Sequence, residues 1–404
     1  MATTAPAETT RDASPAAALQ HEPAAEERPR WRDPRRHYWL LGLVVPTLPF
    51  AAWALVALTG SEALWFYGPV LIFGIFPALD LAIGVDPRNP PEEVTRQLEQ
   101  DRYYRWCTYL YLPIQYAGLI FACHLWASGG LSTVGSVGLA LTVGMVSGIA
   151  INTAHELGHK RTSIERRLSR VALAQSGYGH FYIEHNRGHH VRVATPEDPA
   201  SARLGESFYA FLPRTVTGSV RSAWHLEAER LRRTGSSPWT VKNDILGAWG
   251  LTVLLFAALT GAFGTEVLPY LLLQAVVGFS LLEIVNYLEH YGLLRQHRED
   301  GRYERTRAEH SWNSSSAASN VLLYHLQRHS DHHANPVRRY QVLRHVDDAP
   351  QLPTGYAGMI VAAIIPPLWR RTMDHRVLEH YGGDASLANL RPGARTRRRY
   401  GLAE

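Results

Sequence analysis

The sequence predicts an all-α membrane protein, in which six membrane-spanning helices carry a histidine-rich helical cap on one side. Three observations lead to this prediction. Six apolar segments have the length that crosses a bilayer. Arginine and lysine are concentrated on one side of those segments. The histidines crowd into short polar clusters that follow the apolar segments.

The six apolar segments are each about 19–25 residues long, which suits a helix crossing the ~30 Å hydrocarbon core of a bilayer. They are Tyr38–Thr59, Ala63–Val85, Tyr104–Ala127, Leu131–Thr153, Ile245–Phe263 and Val267–Tyr287. Short connections join the first segment to the second, the third to the fourth and the fifth to the sixth. The segments are therefore predicted to form three helical hairpins, whose prolines are acceptable because membrane helices tolerate kinks.

The orientation of the helices follows from their flanking charges. The connections around Ser61, Gly129 and Thr265 contain neither arginine nor lysine, whereas the opposite side carries many. Because positive residues favour the cytoplasmic side of a membrane, both termini and segments 154–244 and 288–404 are predicted to be cytoplasmic. The membrane also accounts for the net charge of +5, and the chain contains no recognisable nucleic-acid-binding motif.

The chain divides into three predicted regions. Residues 1–37 lack apolar periodicity and indicate a disordered cytoplasmic tail without a signal peptide. Residues 38–385 form one membrane domain that includes the cytoplasmic segments 154–244 and 288–385, and residues 386–404 form a basic tail. Within the domain, Ser219–Arg233 is predicted to be an amphipathic helix. Tyr356–Trp369 is apolar but too short to span, so we expect it at the membrane interface.

Three clusters among the 20 histidines have a spacing typical of metal sites. His155 and His159 are four residues apart, so both imidazoles lie on one helical face. The other two clusters each place one histidine shortly before an adjacent pair. They are His185 with His189 and His190, and His329 with His332 and His333.

Two neighbouring metals suit these adjacent pairs better than one. Neighbouring residues on a helix point about 100° apart, so one member of each pair can join the preceding histidine while the other points to a second metal. His290, at the end of the sixth segment, is a further candidate at the membrane depth of the first cluster. His180, His310 and His325 stay undecided, and the remaining isolated histidines are assigned no role.

Six carboxylates are predicted to support the histidines, because metal-bound imidazoles usually donate their second N–H to a carboxylate or carbonyl. A carboxylate that adjoins a histidine in the sequence points about 100° away from it on a helix. It is therefore expected to contact a different histidine. Ion pairs with arginine are the alternative for each carboxylate. The six are Glu156, Glu184, Glu283, Glu289, Asp331 and Asp80.

The two cysteines, Cys107 and Cys123, lie in one apolar segment. They are predicted to be buried and unreactive. Two cysteines cannot form a four-cysteine iron site, so a fused rubredoxin-type carrier is excluded.

Five stretches carry a resemblance to a known family: Asn152–Lys160, Gly179–His190, Thr195–Ala200, Asn286–Leu293 and Leu326–His333. The chain resembles the membrane alkane 1-monooxygenases, also called alkane omega-hydroxylases, within the wider membrane fatty-acid desaturase and hydroxylase superfamily. The resemblance covers roughly residues 38–385. The histidine clusters indicate the superfamily, whereas the fourth and fifth stretches are typical of alkane hydroxylases and their near relatives.

The resemblance implies a six-helix enzyme with two irons. Its ligand positions match nine histidines, which are His155, His159, His185, His189, His190, His290, His329, His332 and His333. Imidazoles alone would also suit zinc, copper or nickel, so the choice of iron rests on the resemblance. Zinc has no redox states with which to activate O2.

The resemblance also implies a reaction in a bacterial inner (plasma) membrane. The terminal methyl of medium- to long-chain n-alkanes is hydroxylated to a primary alcohol with O2. Electrons pass from NAD(P)H through a rubredoxin reductase and a soluble rubredoxin on the cytoplasmic face. An acidic carrier would suit the arginine-rich face around Arg161, Arg166, Arg338 and Arg339, although these arginines also satisfy the positive-inside rule without a partner.

The alkane partitions into lipid, so we expect an apolar cavity between the spans to admit it from the bilayer. Bulky residues of the first two spans are candidates for limiting the chain length, and lipid-facing packing is their alternative role. They are Trp53, Trp65, Phe73 and Phe76.

Three other functions compete with this interpretation. A desaturase or another hydroxylase of the same superfamily would act on acyl chains, aromatics or sterols. A membrane zinc protease could be built on His155, Glu156 and His159, but would leave two clusters unexplained. A metal transporter would place its binding residues near the membrane midplane, whereas these histidines lie at the ends of the spans.

Overall fold

The computed structural model describes residues 1–2 and 31–402. Most of the predicted disordered tail, residues 3–30, lies outside the described residues, and the predicted domain limits stay predictions. Residues from Arg35 onward form one compact unit. Throughout the described ranges the regular structure is helical, and β-pairing is limited to isolated bridges.

Six helices are long and apolar enough to cross a membrane, as predicted. They are Tyr38–Thr59, Glu62–Ile83, Arg102–Ala127, Thr133–Gly158, Asp244–Phe263 and Val267–Glu289. The fourth and sixth helices continue past the limits predicted from hydropathy. His155 therefore lies in the last turn of the fourth helix, and His290 directly follows the sixth.

The first three spans are interrupted, which agrees with their proline content. The first consists of the 3-10 helix Tyr38–Thr47 and the α-helix Leu48–Thr59. The second passes through Glu62–Phe66, Tyr67–Val70, the π-helix Leu71–Ile75 and Phe76–Ile83. The third consists of Arg102–Tyr109 and Tyr111–Ala127.

The fourth span is the centre of the bundle, with 78% of its apolar window buried. It crosses the sixth span at glycines, where the two backbones approach closely. A Cβ added at Gly148 would lie 2.8 Å from the carbonyl oxygen of Gly278, and one added at Gly144 would lie 2.6 Å from Val277. Small residues allow such close approach between membrane helices. The crossing sets the relative positions of His155 and His290.

The cap is built from short helices and one long one. Its helices are Glu92–Val94, Thr95–Gln100, Ser163–Ala174, Phe181–Ile183, Glu184–His189, His190–Arg192, Phe208–Arg233, Ala308–His310, Ala317–Leu322, His329–Ala334, Tyr340–Val342, Tyr356–Ile364, Pro366–His380, Ala385–Leu387 and Ala394–Arg399. The amphipathic helix predicted over Ser219–Arg233 is part of the longer helix Phe208–Arg233. The apolar segment after Tyr356 is divided between two helices at Pro366.

Arg328 attaches the third histidine cluster to the rest of the cap. Its side chain is 2% exposed. It donates to the carbonyl oxygens of Leu343 at 2.7 Å, Asp86 at 2.9 Å and Arg88 at 3.1 Å. A buried guanidinium satisfied by several carbonyls holds its own backbone in place. The neighbouring His329 is thereby fixed relative to the segment that follows the second span.

The glycine crossing yields a stability prediction. Gly148→Leu should separate the fourth and sixth spans, because a side chain there meets backbone, and overpacking of this kind costs about 1–3 kcal/mol. We expect a clear fall in Tm of the protein in lipid nanodiscs. Gly250→Leu on the fifth span is the matched control, because nothing lies within 4 Å of a Cβ at that position. Equal Tm values for the two variants would contradict the proposed role of the crossing.

Candidate metal centre

All nine histidines predicted as ligands converge, and their nitrogens form two groups in which potential ligand atoms lie within 4.8 Å of one another. The first group contains His155, His159, His185, His190 and His332. The second contains His189, His290, His329 and His333. Both groups draw on several elements, so the centre exists only when the cap is packed on the bundle.

In the first group, Nε2 of His332 lies 2.9 Å from Nε2 of His155 and 3.1 Å from Nε2 of His190. Nε2 of His190 is also 3.1 Å from Nε2 of His185. Nitrogens bound ~2.1 Å from one metal and at right angles to each other lie ~3 Å apart. The spacing of these nitrogens therefore suits common ligation.

The local backbone explains how His185 and His190 meet although they are five residues apart. In a regular α-helix their side chains would point about 140° apart. Residues Glu184–His189 instead form a π-helix, and the backbone N–H of His190 donates to the carbonyl oxygen of His185. The widened turn brings His190 beside His185 and directs His189 to the second group. π-helical turns often occur at functional sites. The α-helical periodicity used in the sequence analysis did not predict this one.

In the second group, Nε2 of His329 lies 3.1 Å from Nε2 of His290 and 2.9 Å from Nε2 of His333. The adjacent pair His332 and His333 is divided between the two groups, as is the pair His189 and His190. This division is the arrangement that helical geometry led us to expect. The rings of His190 and His333, one from each group, have centroids 4.5 Å apart.

The protonation of His290 can be assigned from its second contact. Nδ1 of His290 lies 2.9 Å from the carbonyl oxygen of His310, which can only accept, so Nδ1 carries the hydrogen and Nε2 is bare. This bare Nε2 faces Nε2 of His329 at 3.1 Å. Nδ1 of His329 lies 3.3 Å from the carboxyl of Glu289 without forming a hydrogen bond. A cation between the two Nε2 atoms would be bound by both rings.

Buried nitrogens without hydrogen-bond partners among the described residues support the same conclusion. They include Nε2 of His159 and Nε2 of His189. Nδ1 of His189 lies 2.9 Å from Asp198, which also accepts the Ser201 hydroxyl. Burial by itself raises the pKa of Asp198, but His189 and Ser201 outweigh it and lower that pKa to about 2. The carboxylate therefore orients His189 with its bare nitrogen toward the group.

Seven of the nine histidines carry a neutral imidazole near pH 7. Burial, reinforced by neighbouring histidines, lowers the pKa of His290 to about 3. It places the pKa values of six others well below the usual range for histidine. These are His159, His185, His190, His329, His332 and His333. A neutral imidazole is the form that binds a metal.

Of the six carboxylates predicted to support the histidines, Glu289 contacts one of them. Its Oε1 faces His329 and accepts the hydroxyl hydrogen of Tyr356 at 3.0 Å. Glu289 thus serves a histidine of another element and not its neighbour His290, as expected from helical geometry. Sequence reasoning missed Asp198 in this role, although it lies in one of the stretches that carry the family resemblance.

The other five carboxylates have their described contacts elsewhere. Two form the arginine ion pairs that were their alternative role: Glu184 with Arg192 at 2.8 Å and Asp331 with Arg338 at 2.7 Å. Glu156 pairs with Lys160 at 3.0 Å. Glu283 accepts the hydroxyls of Tyr178 and Thr215 at 2.7 and 2.8 Å. Asp80 accepts the backbone N–H and the hydroxyl of Ser319. Arginine and hydroxyl groups compete with the histidines for these carboxylates. The spacing of residues along the sequence does not predict which partner a carboxylate contacts.

The undecided histidines lie outside both groups. His310 contributes its carbonyl oxygen to His290, and its ring contacts Glu304 at 3.2 Å. His325 donates to the carbonyl oxygen of Tyr340. His180 is buried away from the nine, beside the fifth span.

An apolar cavity ends at the metal centre. Histidines of both groups line it, namely His155, His185 and His329. Its other walls come from the second, fourth and sixth spans, the helix Tyr356–Ile364 and further cap residues such as Phe181 and Leu326. Of the four aromatics proposed to bind substrate, Phe76 lines this cavity. An apolar space that meets both groups can place a hydrocarbon against them.

The other three aromatics lie outside the lining of this cavity, and their role in substrate binding stays a prediction. Trp65 is buried in the bundle core beside Leu139 and Val143. Trp53 is exposed on the bundle surface and contacts Phe121 edge to face. Phe73 is half-buried and is not among the residues that line the cavity.

Comparison with known proteins agrees with this geometry. Residues 132–363 match the family model of fatty acid desaturases. The chain is 45% identical to the alkane 1-monooxygenase of Acinetobacter baylyi, over 92% of each chain. It is 47% identical to alkane 1-monooxygenase 1 of Alcanivorax borkumensis, over 90% of each chain.

A more distant relative is named for aromatic substrates. The hydroxylase component of the xylene/toluene monooxygenase of Pseudomonas putida is 28% identical over 65% of this chain and 70% of that protein. The similarity to the alkane enzymes is higher and covers more of the chain. The chain therefore belongs to the alkane 1-monooxygenases, within the fatty acid desaturase family.

Proposed function

We propose that this protein is a membrane di-iron monooxygenase that hydroxylates the terminal methyl of medium- to long-chain n-alkanes to primary alcohols. The observation that carries the proposal is the apolar cavity that ends at histidines of both groups. An acyl-chain or aromatic substrate is the alternative within the same family. The high similarity to enzymes named alkane 1-monooxygenase favours the alkane.

The nine histidines are the proposed iron ligands, divided five and four between two metals. Their buried ring nitrogens, which face one another about 3 Å apart within each group, suit a cation at each group. When bound, two irons supply the redox chemistry through which O2 hydroxylates a C–H bond. The protein's part is to hold the imidazoles in place, chiefly through Asp198 on His189, Glu289 on His329 and the carbonyl oxygen of His310 on His290.

The cavity selects and positions the substrate. An alkane offers no hydrogen-bonding group, so its orientation depends on the shape of apolar walls. Residues such as Phe76, Leu282 and Ile360 enclose the chain and exclude water, while the histidine end of the cavity receives the terminal methyl. Entry from the bilayer fits a cavity formed between membrane spans.

We further propose that the cap faces the cytoplasm of a bacterial cell, with the six spans in the inner membrane. The distribution of arginine and lysine supports this orientation. A cytoplasmic cap would place the metal centre within reach of a soluble electron carrier.

The proposed electron donor is a rubredoxin, reduced by NAD(P)H through its reductase. The overall reaction converts an alkane, O2, two electrons and two protons to a primary alcohol and water. Of the arginines considered for docking, Arg338 pairs with Asp331 and Arg339 with Glu165. Arg161 is exposed, which makes it the better candidate to meet an acidic carrier.

The zinc-protease alternative is disfavoured by the position of Glu156. Such an enzyme uses this glutamate as a general base on the metal-bound water. Here Glu156 and Lys160 form a buried ion pair at 3.0 Å. The same ion pair anchors Lys160, which also donates to the carbonyl oxygen of Arg338.

The proposed reaction can be tested on membranes that contain the protein, rubredoxin, rubredoxin reductase, NADH and O2. Gas chromatography should detect 1-octanol from n-octane. The His332→Ala variant should form none and should retain less iron, whereas His375→Ala, at an isolated histidine, should behave like the parent protein. An iron-loaded, reducible protein that oxidises octanoyl chains or toluene but no alkane would refute the alkane proposal.

Asp198 offers a test of the ligand assignment that does not depend on turnover. Asp198→Asn keeps the size of the side chain but removes the charge that orients His189, so metal affinity should fall about 10–100-fold. Iron retained during titration with a chelator measures the effect. The adjacent Glu197→Gln is the matched control, because Glu197 is exposed and its described contact is with Tyr303. Identical chelator curves for the two variants would contradict the role given to Asp198.

Phe76 provides a test of the cavity. Phe76→Leu should enlarge the space beside the alkyl chain and shift product formation toward longer alkanes by a few-fold, measured on an equimolar alkane mixture. Phe73→Leu is the control, because Phe73 belongs to the same span and does not line the cavity. A shift of equal size in both variants would show that chain length is set elsewhere.

A further inference from the structure

A second apolar space lies on the outer side of the sixth span. It is a groove of about 770 Å³ between the fifth and sixth spans, closed at one end by the cap. Trp249, Thr252, Phe256, Leu272 and Phe279 are among its lining residues. From Trp249 to Thr260 the groove follows the fifth span for about 16 Å.

A buried histidine ends this groove. His180 is 3% exposed, and neither of its ring nitrogens has a hydrogen-bond partner among the described residues. Its ring lies 4.3 Å from that of Tyr178 and 6.2 Å from that of Trp249. Burial lowers the pKa of His180 to about 4, so the ring is neutral, with one N–H donor and one bare acceptor nitrogen.

Two hydroxyls along the groove are also unsatisfied. The side-chain oxygens of Thr252 and Thr260 are buried and have no hydrogen-bond partner within the described part of the chain. Unpaired polar groups are rare in an apolar environment because each costs free energy. Together with His180, they indicate that the groove receives a ligand that is mostly apolar and carries a hydrogen-bonding end.

The hydrogen-bonding capacity of His180 indicates which polar group the ligand carries. A hydroxyl group both donates and accepts, so it can satisfy a neutral imidazole from either side. A hydrocarbon can do neither, and a carboxylate can only accept. The apolar length of the groove suits an alkyl chain attached to this hydroxyl.

The groove shares a polar wall with the reaction cavity. Tyr178 lines the groove and donates its hydroxyl hydrogen to Glu283 at 2.7 Å. Glu283 also accepts from the side-chain amide of Asn286 at 3.2 Å, and Asn286 lines the cavity at the metal centre. The side chain of Glu283 therefore lies between a groove-lining residue and a residue of the cavity in which the proposed reaction forms a hydroxyl group.

We propose that this groove is a binding site for a long-chain primary alcohol, with the hydroxyl at His180 and the alkyl chain between the fifth and sixth spans. The inference rests on the proposed function, because that alcohol is its product. A membrane lipid with a free hydroxyl shares the same chemistry, and the experiment below separates the two sources.

The test is photoaffinity labelling of the full-length protein in lipid nanodiscs. One probe is a dodecanol with a diazirine in its chain, and the other is the matched dodecane. The alkanol probe should label groove residues on the fifth and sixth spans several-fold more than the alkane probe does. Excess dodecanol should compete for these positions, and dodecane should not.

Variants at His180 make the test specific. His180→Leu should reduce groove labelling several-fold, while His180→Gln, which keeps a donor and an acceptor, should retain it. His124→Leu on the third span, where the histidine is exposed, is the control for a histidine-to-leucine change elsewhere and should have no effect. Labelling that is equal for both probes, or unchanged in His180→Leu, would overturn the proposal. Stronger competition by a monoacylglycerol than by dodecanol would assign the groove to a lipid and overturn it as well.

The two proposals fail in different ways. The labelling is repeated in His332→Ala, which should form no octanol but should keep the groove intact. Groove labelling in the parent protein, loaded with iron and reduced but oxidising no alkane, would refute the proposed function alone. Active protein without groove labelling would refute the alcohol site alone.

Discussion

The central constraint of this structure is the burial of imidazole nitrogens that face one another about 3 Å apart. Nε2 of His290 faces Nε2 of His329 at 3.1 Å, while Nδ1 of His290 donates to a carbonyl oxygen on the other side of its ring. A bare, buried nitrogen of this kind suits a cation. The surrounding protein must therefore hold these rings from several different elements in fixed positions.

Most of the structure can be understood as the support for this arrangement. The glycine crossing of the fourth and sixth spans sets the distance between His155 and His290. Arg328 and the ion pair of Lys160 with Glu156 attach the cap segments around them. Because these supports are buried, disturbing one should move several histidines together.

The sixth span separates two apolar spaces with different chemical character. The inner cavity meets metal-ligating imidazoles of both groups, and the outer groove ends at the unpartnered ring of His180. Glu283, with its neutral partners Tyr178, Thr215 and Asn286, occupies the wall between them. The Glu283 carboxyl is therefore occupied by hydrogen bonds within this wall and not by a histidine of the two groups.

Length, hydropathy and histidine spacing were sufficient to predict the six spans, the three histidine clusters and the division of the adjacent pairs, because these follow from periodicity along single segments. The full set of nine histidines came from the family resemblance, and the partners of those histidines were not accessible from spacing. Asp198 reaches His189 through a turn, the π-helical winding at Glu184–His189 adds one residue to a helical turn, and the walls of the cavity come from several membrane spans and cap segments. Contacts of this kind depend on how distant segments pack, and local periodicity carries no information about that packing.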